Sequence, residues 1–546
     1  MLRPPTDNQT DSDVAQTTQR SRTCIRRLAR FASSPHSGSS PRSVTLVVLS
    51  VLFLGSPVGR LQVLCADDGV QVAELSADER RAMNVITRGR VLTTVSFLAS
   101  DEMAGRDTPS PELNIAASYV AARFRGAGLT GLGPDGSFYQ TTTLTQTQAP
   151  EAPAELQIAS TDQLLRLPIL AAADQQVSLT GTVLSEDELL KVERPEDDDS
   201  DDGPSTGGPS NAIVLIDAPM IPPQALSDPA RVLAVCARRV RGLAARGAGI
   251  VLMQYDQDSL LPEIAERLRN QPVTARPGLF PDCIVVPVSA DHRLTGQTVT
   301  VTVNPRRQVE ATVHNVVAVR RGSDDALAKQ AILISAHLDH IGRSGSGPDP
   351  INNGADDNAT GVTAVLSLAD AFAALETAPE RSVIFVAFWG EEKGLLGSRH
   401  FVDQPLWPLS DIVANINIEM VGRPESNARY KAWMTGWKHS TLGSIMDAGA
   451  RRAGVEIFNR TDVGEMLYSR SDNYPFAQRG VIAHSFSAGS LHADYHQPSD
   501  EWQKLDIQHM TMVIQGLFAG ALRITHGQTT PTAPPTATDE AIPGNQ

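Results

Sequence analysis

Four cysteines in 546 residues, none in a C-x-x-C pair, exclude a disulfide framework and a cysteine-built zinc ribbon. Basic residues are also short, with 47 Lys+Arg against 62 Asp+Glu, a net charge of −15 and a pI near 5.3. A nucleic-acid binder needs a basic face to displace counterions, so no nucleic-acid partner is expected. No apolar run reaches the roughly 18 residues that span a bilayer. Two common hydrolase signatures are missing: there is no H-E-x-x-H and no G-x-S-x-G nucleophile elbow. GLGPDG at 131–136 matches G-x-G-x-x-G in spacing, but it follows a helical stretch and contains Pro134, so it reads as a loop and not a dinucleotide fingerprint.

What is present is a soluble globular composition, 41% apolar and 20% charged, in a chain long enough for two to four domains. Residues 1–66 read as an address. Arg20, Arg22, Arg26, Arg27 and Arg30 precede the run TLVVLSVLFLG at 45–55, and Ser56-Pro57 stops it. A basic region, a short apolar region and a breaker make an export signal, so the protein is expected to be periplasmic, cell-surface or secreted. Any membrane anchoring would come through this segment alone. Without it, eight Arg and three Asp are lost, leaving 39 basic against 59 acidic residues.

Composition then divides the chain. Residues 76–127 predict two helices, the first capped by Ser76. Between 149 and 312 the texture becomes β-rich: AIVLID at 212–217, GIVLM at 249–253, IVVPVS at 284–289 and TVTVTV at 298–303, with a helix over 229–246. Six acids between Glu196 and Asp202 form a solvated loop. From 313 to 525 strands and helices alternate, which predicts an α/β fold with a mostly parallel central sheet flanked by helices. The Thr/Pro-rich tail over 526–546 is expected to lack structure. Cys236 and Cys283 either pair in an oxidising compartment or remain two buried thiols.

The chemistry lies in the last third. AILISA at 331–336 ends at His337, RSVIFVAFW at 381–389 ends at Gly390-Glu391-Glu392, and DIVANINI at 411–418 ends at Glu419. Each is a buried-strand run delivering a metal-ligand side chain at its carboxyl end, the edge where open α/β sheets bind ligands. Asp356 and Asp357 lie just before a helical stretch, and His496 sits in a Pro-interrupted loop. Alone, the first pair would be a helix N-cap cluster and the histidine an ordinary loop residue.

In this order AHLDH, GADDNATG, GEEKGLLGS, INIEMVG, RSDNYPFA and YHQPSDEW resemble the motifs of the two-zinc aminopeptidases, a family that includes glutamate carboxypeptidase II-like enzymes. The resemblance covers 76–148 and 313–525. It implies a zinc-exopeptidase-like fold, with 67–148 as the first part of the peptidase domain and 149–312 as an inserted, mainly β or α+β, protease-associated-like domain. It implies two Zn²⁺ ions: His337, Asp357 and Glu419 on one, Asp357, Glu392 and His496 on the other, with Asp357 bridging. Glu391 would be the general base, Asp339 the carboxylate that orients His337, Tyr495 a donor to the oxyanion, and Arg470 a contact for the substrate backbone. Family members commonly carry Asp where this chain has Glu419. His340, His400, His484 and His492 lie near the motifs and receive no ligand role.

The expected function is an exported metallo-aminopeptidase acting on peptides, with a metal-activated water as nucleophile. A carboxypeptidase or a glutaminyl-cyclase-like acyltransferase would use the same fold. A transferrin-receptor-like binding protein would have lost the ligands, which here are all retained.

Overall fold

The computed structural model describes residues 74–191, 212–219, 229–256, 283–343, 348–489, 491–527 and 529–534, with single positions 259, 261 and 265. The export segment, the acidic loop at 196–202, Cys24 and Cys65 lie outside the described residues. Among the described residues no helix is long and apolar enough to cross a membrane.

The strands, in chain order, are β1 (Thr130–Gly131), β2 (Tyr139–Gln148), β3 (Ala154–Ile158), β4 (Gln163–Leu167), β5 (Val177–Ser185), β6 (Ala212–Asp217), β7 (Ala248–Tyr255), β8 (Ile284–Ser289), β9 (Thr298–Val303), β10 (Arg307–Arg320), β11 (Ala331–His337), β12 (Ser382–Phe388), β13 (Ile412–Ile418), β14 (Lys431–Met434), β15 (Glu456–Asn459) and β16 (Ala483–Ser487). Two sheets result. The larger runs β1-β10-β12-β11-β13-β16-β14-β15, with β2 paired to β10. The smaller runs β4-β3-β9-β5-β6-β7-β8 and falls within 154–303, inside the segment expected to be an insertion.

In the larger sheet β12, β11, β13 and β16 are mutually parallel. The sheet turns antiparallel at β10 and between β16 and β14, so it is mixed rather than uniformly parallel. β11 and β12 are buried at every position, which is why they read as unbroken apolar runs. Helices cover both faces of such a sheet, and Thr360–Ala373 is buried on nearly all sides. Phe385 of β12 meets Phe124 and Phe372 with ring centroids 6.2 and 6.1 Å apart, and Phe372 meets Phe518 at 5.0 Å. These four rings lock helices 111–126, 360–373 and 507–525 to the sheet.

The first expected helix is in fact two, Ala77–Met83 and Arg88–Leu98. Ser76 and Glu79 form a reciprocal cap at the start of the first, and Thr87 caps the second. The interruption at 84–87 re-aims the chain, a tertiary demand that periodicity does not register. The tail is also ordered further than expected: Arg381 Nη1 donates to Thr529 O at 3.1 Å, Arg381 Nη2 to Thr530 Oγ1 at 2.7 Å, and Thr532 N to Thr441 Oγ1 at 2.9 Å. Beside the smaller sheet, Cys236 in the helix Pro229–Ala244 and Cys283 just before β8 are free thiols within one apolar cluster. Burial pushes Cys236 up to about 11 and Cys283 to about 12, so both are inert thiols at neutral pH.

Arg106 ties this scaffold together. It is 1% exposed, and its guanidinium donates only to main-chain carbonyls: Nε to Leu338 at 2.9 Å, Nη1 to Asn353 at 2.9 Å and to Leu98, and Nη2 to Gly354 at 3.1 Å. One side chain therefore fixes the residue after His337 and the loop leading to Asp357. Burial lowers its pKa to about 10, opposed by Asp339, Asp357, Asp500 and Glu392, so it stays charged at neutrality. Arg106→Ala strands these carbonyls without donors and removes a buried cation from among four acids. A loss of about 3 to 5 kcal/mol in unfolding free energy is expected, measured by urea denaturation of the metal-free chain.

Candidate metal centre

Chain order at the sheet's centre is β11, β12, β13, but spatial order is β12-β11-β13. The chain leaves β11 to one side and later returns on the other. That reversal opens a crevice at the strands' carboxyl ends, the usual ligand position in such sheets. His337 ends β11, Glu391 and Glu392 follow β12, and Glu419 follows β13, so all four converge on this crevice. Asp357 reaches it from the wide turn Ala355–Ala359, and His496 from the loop after β16.

Two clusters result, sharing one residue. In the first, His337 Nε2 lies 3.3 Å from Asp357 Oδ1 and 3.3 Å from Glu419 Oε2. In the second, His496 Nε2 lies 3.2 Å from Asp357 Oδ2 and 3.3 Å from Glu392 Oε2. Within each cluster the ligand atoms lie within 4.8 Å of one another. Four contacts of 3.2–3.3 Å are long for charge-assisted N–H···O bonds, which run about 2.7–2.9 Å. They equal the ligand–ligand edge of a tetrahedron whose metal–ligand bonds are about 2.0 Å. His496 Nε2 is moreover buried without a hydrogen-bond partner. The residues fit a bound metal at both positions.

Outer contacts set the ligands' orientation. His337 Nδ1 faces the main-chain carbonyl of Asp339 at 3.1 Å, so Nδ1 carries hydrogen and Nε2 is left for a metal. The Asp339 carboxylate, expected to do this, is 3.8 Å from His337 Nδ1 and instead accepts from Thr108 Oγ1 at 3.0 Å and Glu391 N at 3.1 Å. The contact to His337 comes from the main-chain carbonyl and not from the carboxylate. Asp500 was not singled out from sequence. Its Oδ2 accepts from the N–H groups of Asp356 at 3.0 Å and Asp357 at 3.2 Å, joining the His496 loop to the Asp357 turn.

Electrostatically the crevice is overloaded with acid. Burial of Glu391, with Glu392, Glu419 and Asp472 nearby, holds its carboxyl well above the usual range against the pull of His337. Burial also raises Asp339 and Asp500 to about 6 and Asp472 to about 7. Burial opposes a proton on His337, yet Glu419 and Glu391 prevail and raise it well above its ordinary value. His496 is likewise raised, to about 10, because the facing carboxylates of Asp357 and Glu392 outweigh its burial. Tyr495 stacks on His496 with centroids 3.9 Å apart, and burial together with the four nearby carboxylates keeps its hydroxyl protonated. Arg470 is exposed, and its side chain has no hydrogen bond or ion pair among the described residues.

His340, given no role from sequence, stands inside the second cluster, with Nδ1 2.8 Å from Glu392 Oε1. His492 lies 3.3 Å from Asp356 rather than among the ligands. His484 and His400 lie outside both clusters.

Residues 315–519 match the sequence model of Peptidase family M28. Aminopeptidase YwaD of Bacillus subtilis is 23% identical over 284 residues, covering 50% of this chain and 56% of that protein. A probable zinc metalloprotease of Pyrenophora teres f. teres is 33% identical over 128 residues, 22% of this chain and 26% of that one. The chain thus spans about half the length of the first of these curated relatives and about a quarter of the second. A solved zinc aminopeptidase from Bacillus subtilis is 16% identical, with 82% of this chain and 97% of that chain covered at a TM-score of 0.48. The family match, the six motifs and the paired clusters coincide in the same residues, so the segment 315–519 is similar to peptidase family M28.

Proposed function

We propose that the protein is an exported zinc exopeptidase that removes N-terminal residues from peptides. The observation that carries this reading is the pair of histidine–carboxylate clusters joined through Asp357, whose two oxygens face different histidines. His337, Asp357 and Glu419 would hold one Zn²⁺, and Asp357, Glu392 and His496 the other. Relatives named as aminopeptidase and zinc metalloprotease support the metal and the reaction class. Export rests on the basic, then apolar, N-terminal stretch.

Zinc at these positions supplies Lewis acidity, polarising a scissile carbonyl and lowering the pKa of water. Glu391 neighbours both clusters without being needed as a ligand; it takes the proton of the attacking water and returns it to the leaving amine. A raised carboxyl pKa suits a group that must do both. The Tyr495 hydroxyl, kept protonated, donates to the developing oxyanion. Arg470, exposed and in the RSDNYPFA motif, would meet the substrate backbone. The segment 149–312, with its own sheet, acts as a protease-associated-like domain that limits access by large substrates.

Glu391→Gln is expected to lower kcat by about 10²- to 10⁴-fold with zinc content unchanged, measured by peptide hydrolysis beside elemental analysis. Wild-type turnover in that variant would sink the assignment of the base. Chelation should abolish hydrolysis and zinc restore it. Free peptides should be cleaved and N-acetylated ones spared; equal rates on both would make the enzyme something other than an aminopeptidase. Metal uptake should also release protons. His496 holds a proton up to about pH 10 in the metal-free chain, while ligation needs a neutral ring, so affinity rises with pH until that point is passed. Each released proton contributes up to about 10-fold per pH unit, read by calorimetry at pH 7 in buffers of different ionisation enthalpy.

A further inference from the structure

His340 is fully buried, lies in the centre, and has no part in the mechanism above. It is held on several sides. Its main-chain N–H donates to Arg106 O at 3.3 Å, and its ring meets His496 edge-on with centroids 5.4 Å apart. Against its other side lies Gly354, at φ +55°, where an added Cβ would come within 2.4 and 2.5 Å of ring carbons. Only glycine there lets the ring occupy its position, so the placement is built rather than incidental.

Two roles are open to a histidine in this position, and distance separates them. The residues assigned as ligands meet one another at 3.2–3.3 Å, the spacing of groups arranged around an ion. His340 Nδ1 is 2.8 Å from Glu392 Oε1 and 3.9 Å from Asp357 Oδ2, the pattern of a hydrogen-bond donor to one carboxylate oxygen. The other oxygen of Glu392, Oε2, is the one that faces His496.

The first cluster repeats the device with different parts. Glu419 Oε1 accepts from Ser471 Oγ and, at 3.2 Å, from Asn417 Nδ2, while Oε2 faces His337. Asn417 Nδ2 also donates to Ser471 Oγ at 2.8 Å, which ties the pair together. Each glutamate thus has one oxygen occupied by a donor from the chain and one directed at a metal position. Asp357 alone turns both oxygens inward.

We propose that His340 is a positioning residue that pins Glu392 as a single-oxygen ligand and thereby sets the affinity of the second metal position alone, as Ser471 does for the first through Glu419. The proposal rests on the two-metal reading of the site. It also makes the longer side chain at 419 tolerable, because Ser471 and Asn417 take up the freedom that the extra methylene introduces.

The test is Co²⁺ and Zn²⁺ titration of the metal-free full chain against a competing chelator, with the Co²⁺ visible spectrum as a second readout. Wild type should load two ions. His340→Ala should weaken one of the two sites by about 10- to 100-fold, the usual effect of losing an outer-shell partner, and leave the other unchanged. Ser471→Ala should weaken the opposite site. His340→Asn keeps an amide N–H where Nδ1 stood and should restore wild-type affinity, with melting of the metal-free protein confirming that each variant folds. If His340→Ala leaves both affinities unchanged, or weakens both alike, the pinning role is wrong. If His340→Asn binds as weakly as His340→Ala with an altered Co²⁺ spectrum, His340 is a ligand and the proposal is overturned. Wild type that takes up no ion instead overturns the two-metal reading itself.

Discussion

Negative charge packed where water is scarce governs the part of this protein built on the larger sheet. Asp339, Asp357, Glu391, Glu392, Glu419, Asp472 and Asp500 all reach one sheet edge, and the four aspartates are at most 4% exposed. Two like charges 4 Å apart repel by about 4 kcal/mol at an effective dielectric of 20. The fold answers with every kind of compensation available to it: carboxyl pKa values raised at Asp339, Asp472 and Asp500, histidine rings, main-chain N–H groups aimed at Asp500, and the buried Arg106. Divalent cations complete the list. A site that must be so heavily neutralised without metal is one whose affinity for metal is written into its folding.

The sheet makes that crowding tolerable because its rim is stiff. β11 and its neighbours are buried on both faces, so the strand ends carrying His337, Glu392 and Glu419 have little freedom to splay apart. The two remaining ligands come from loops, and those loops are tied to one another through Asp500 and to the rim through Arg106. His496 itself sits at φ +56°, a left-handed backbone that a non-glycine residue adopts only where its surroundings require it.

Much of this was legible in the residues. Long runs such as 331–337 and 382–388 carry their burial in their composition, and the acids and histidines at their ends announce a ligand edge. What escaped was set by contacts distant in sequence. His340 acts on Glu392, 52 residues away; Asp500 acts on Asp356 across 144 residues; Arg106 reaches Gly354 across 248. A lone His, Asp or Arg carries no periodic signal of such a partner. Asp339 shows a subtler limit, since side-chain identity cannot reveal that its carbonyl orients His337. The helix break at 84–87 and the antiparallel edge at β10 are likewise tertiary outcomes imposed on locally permissive sequence.

The long β2–β10 ribbon has a kinetic meaning. Gln148 and Arg307 are paired although 159 residues separate them, and β10 goes on to flank β12 in the main sheet. Closing so long a loop in an unfolded chain costs entropy before any contact repays it. The strands of the smaller sheet lie entirely between those two residues, so a unit with its own sheet occupies the loop that the ribbon closes. Once that sheet is formed, the span left for β2 and β10 to close is shorter than their separation in sequence, because loop-closure cost follows the flexible length and not the residue count.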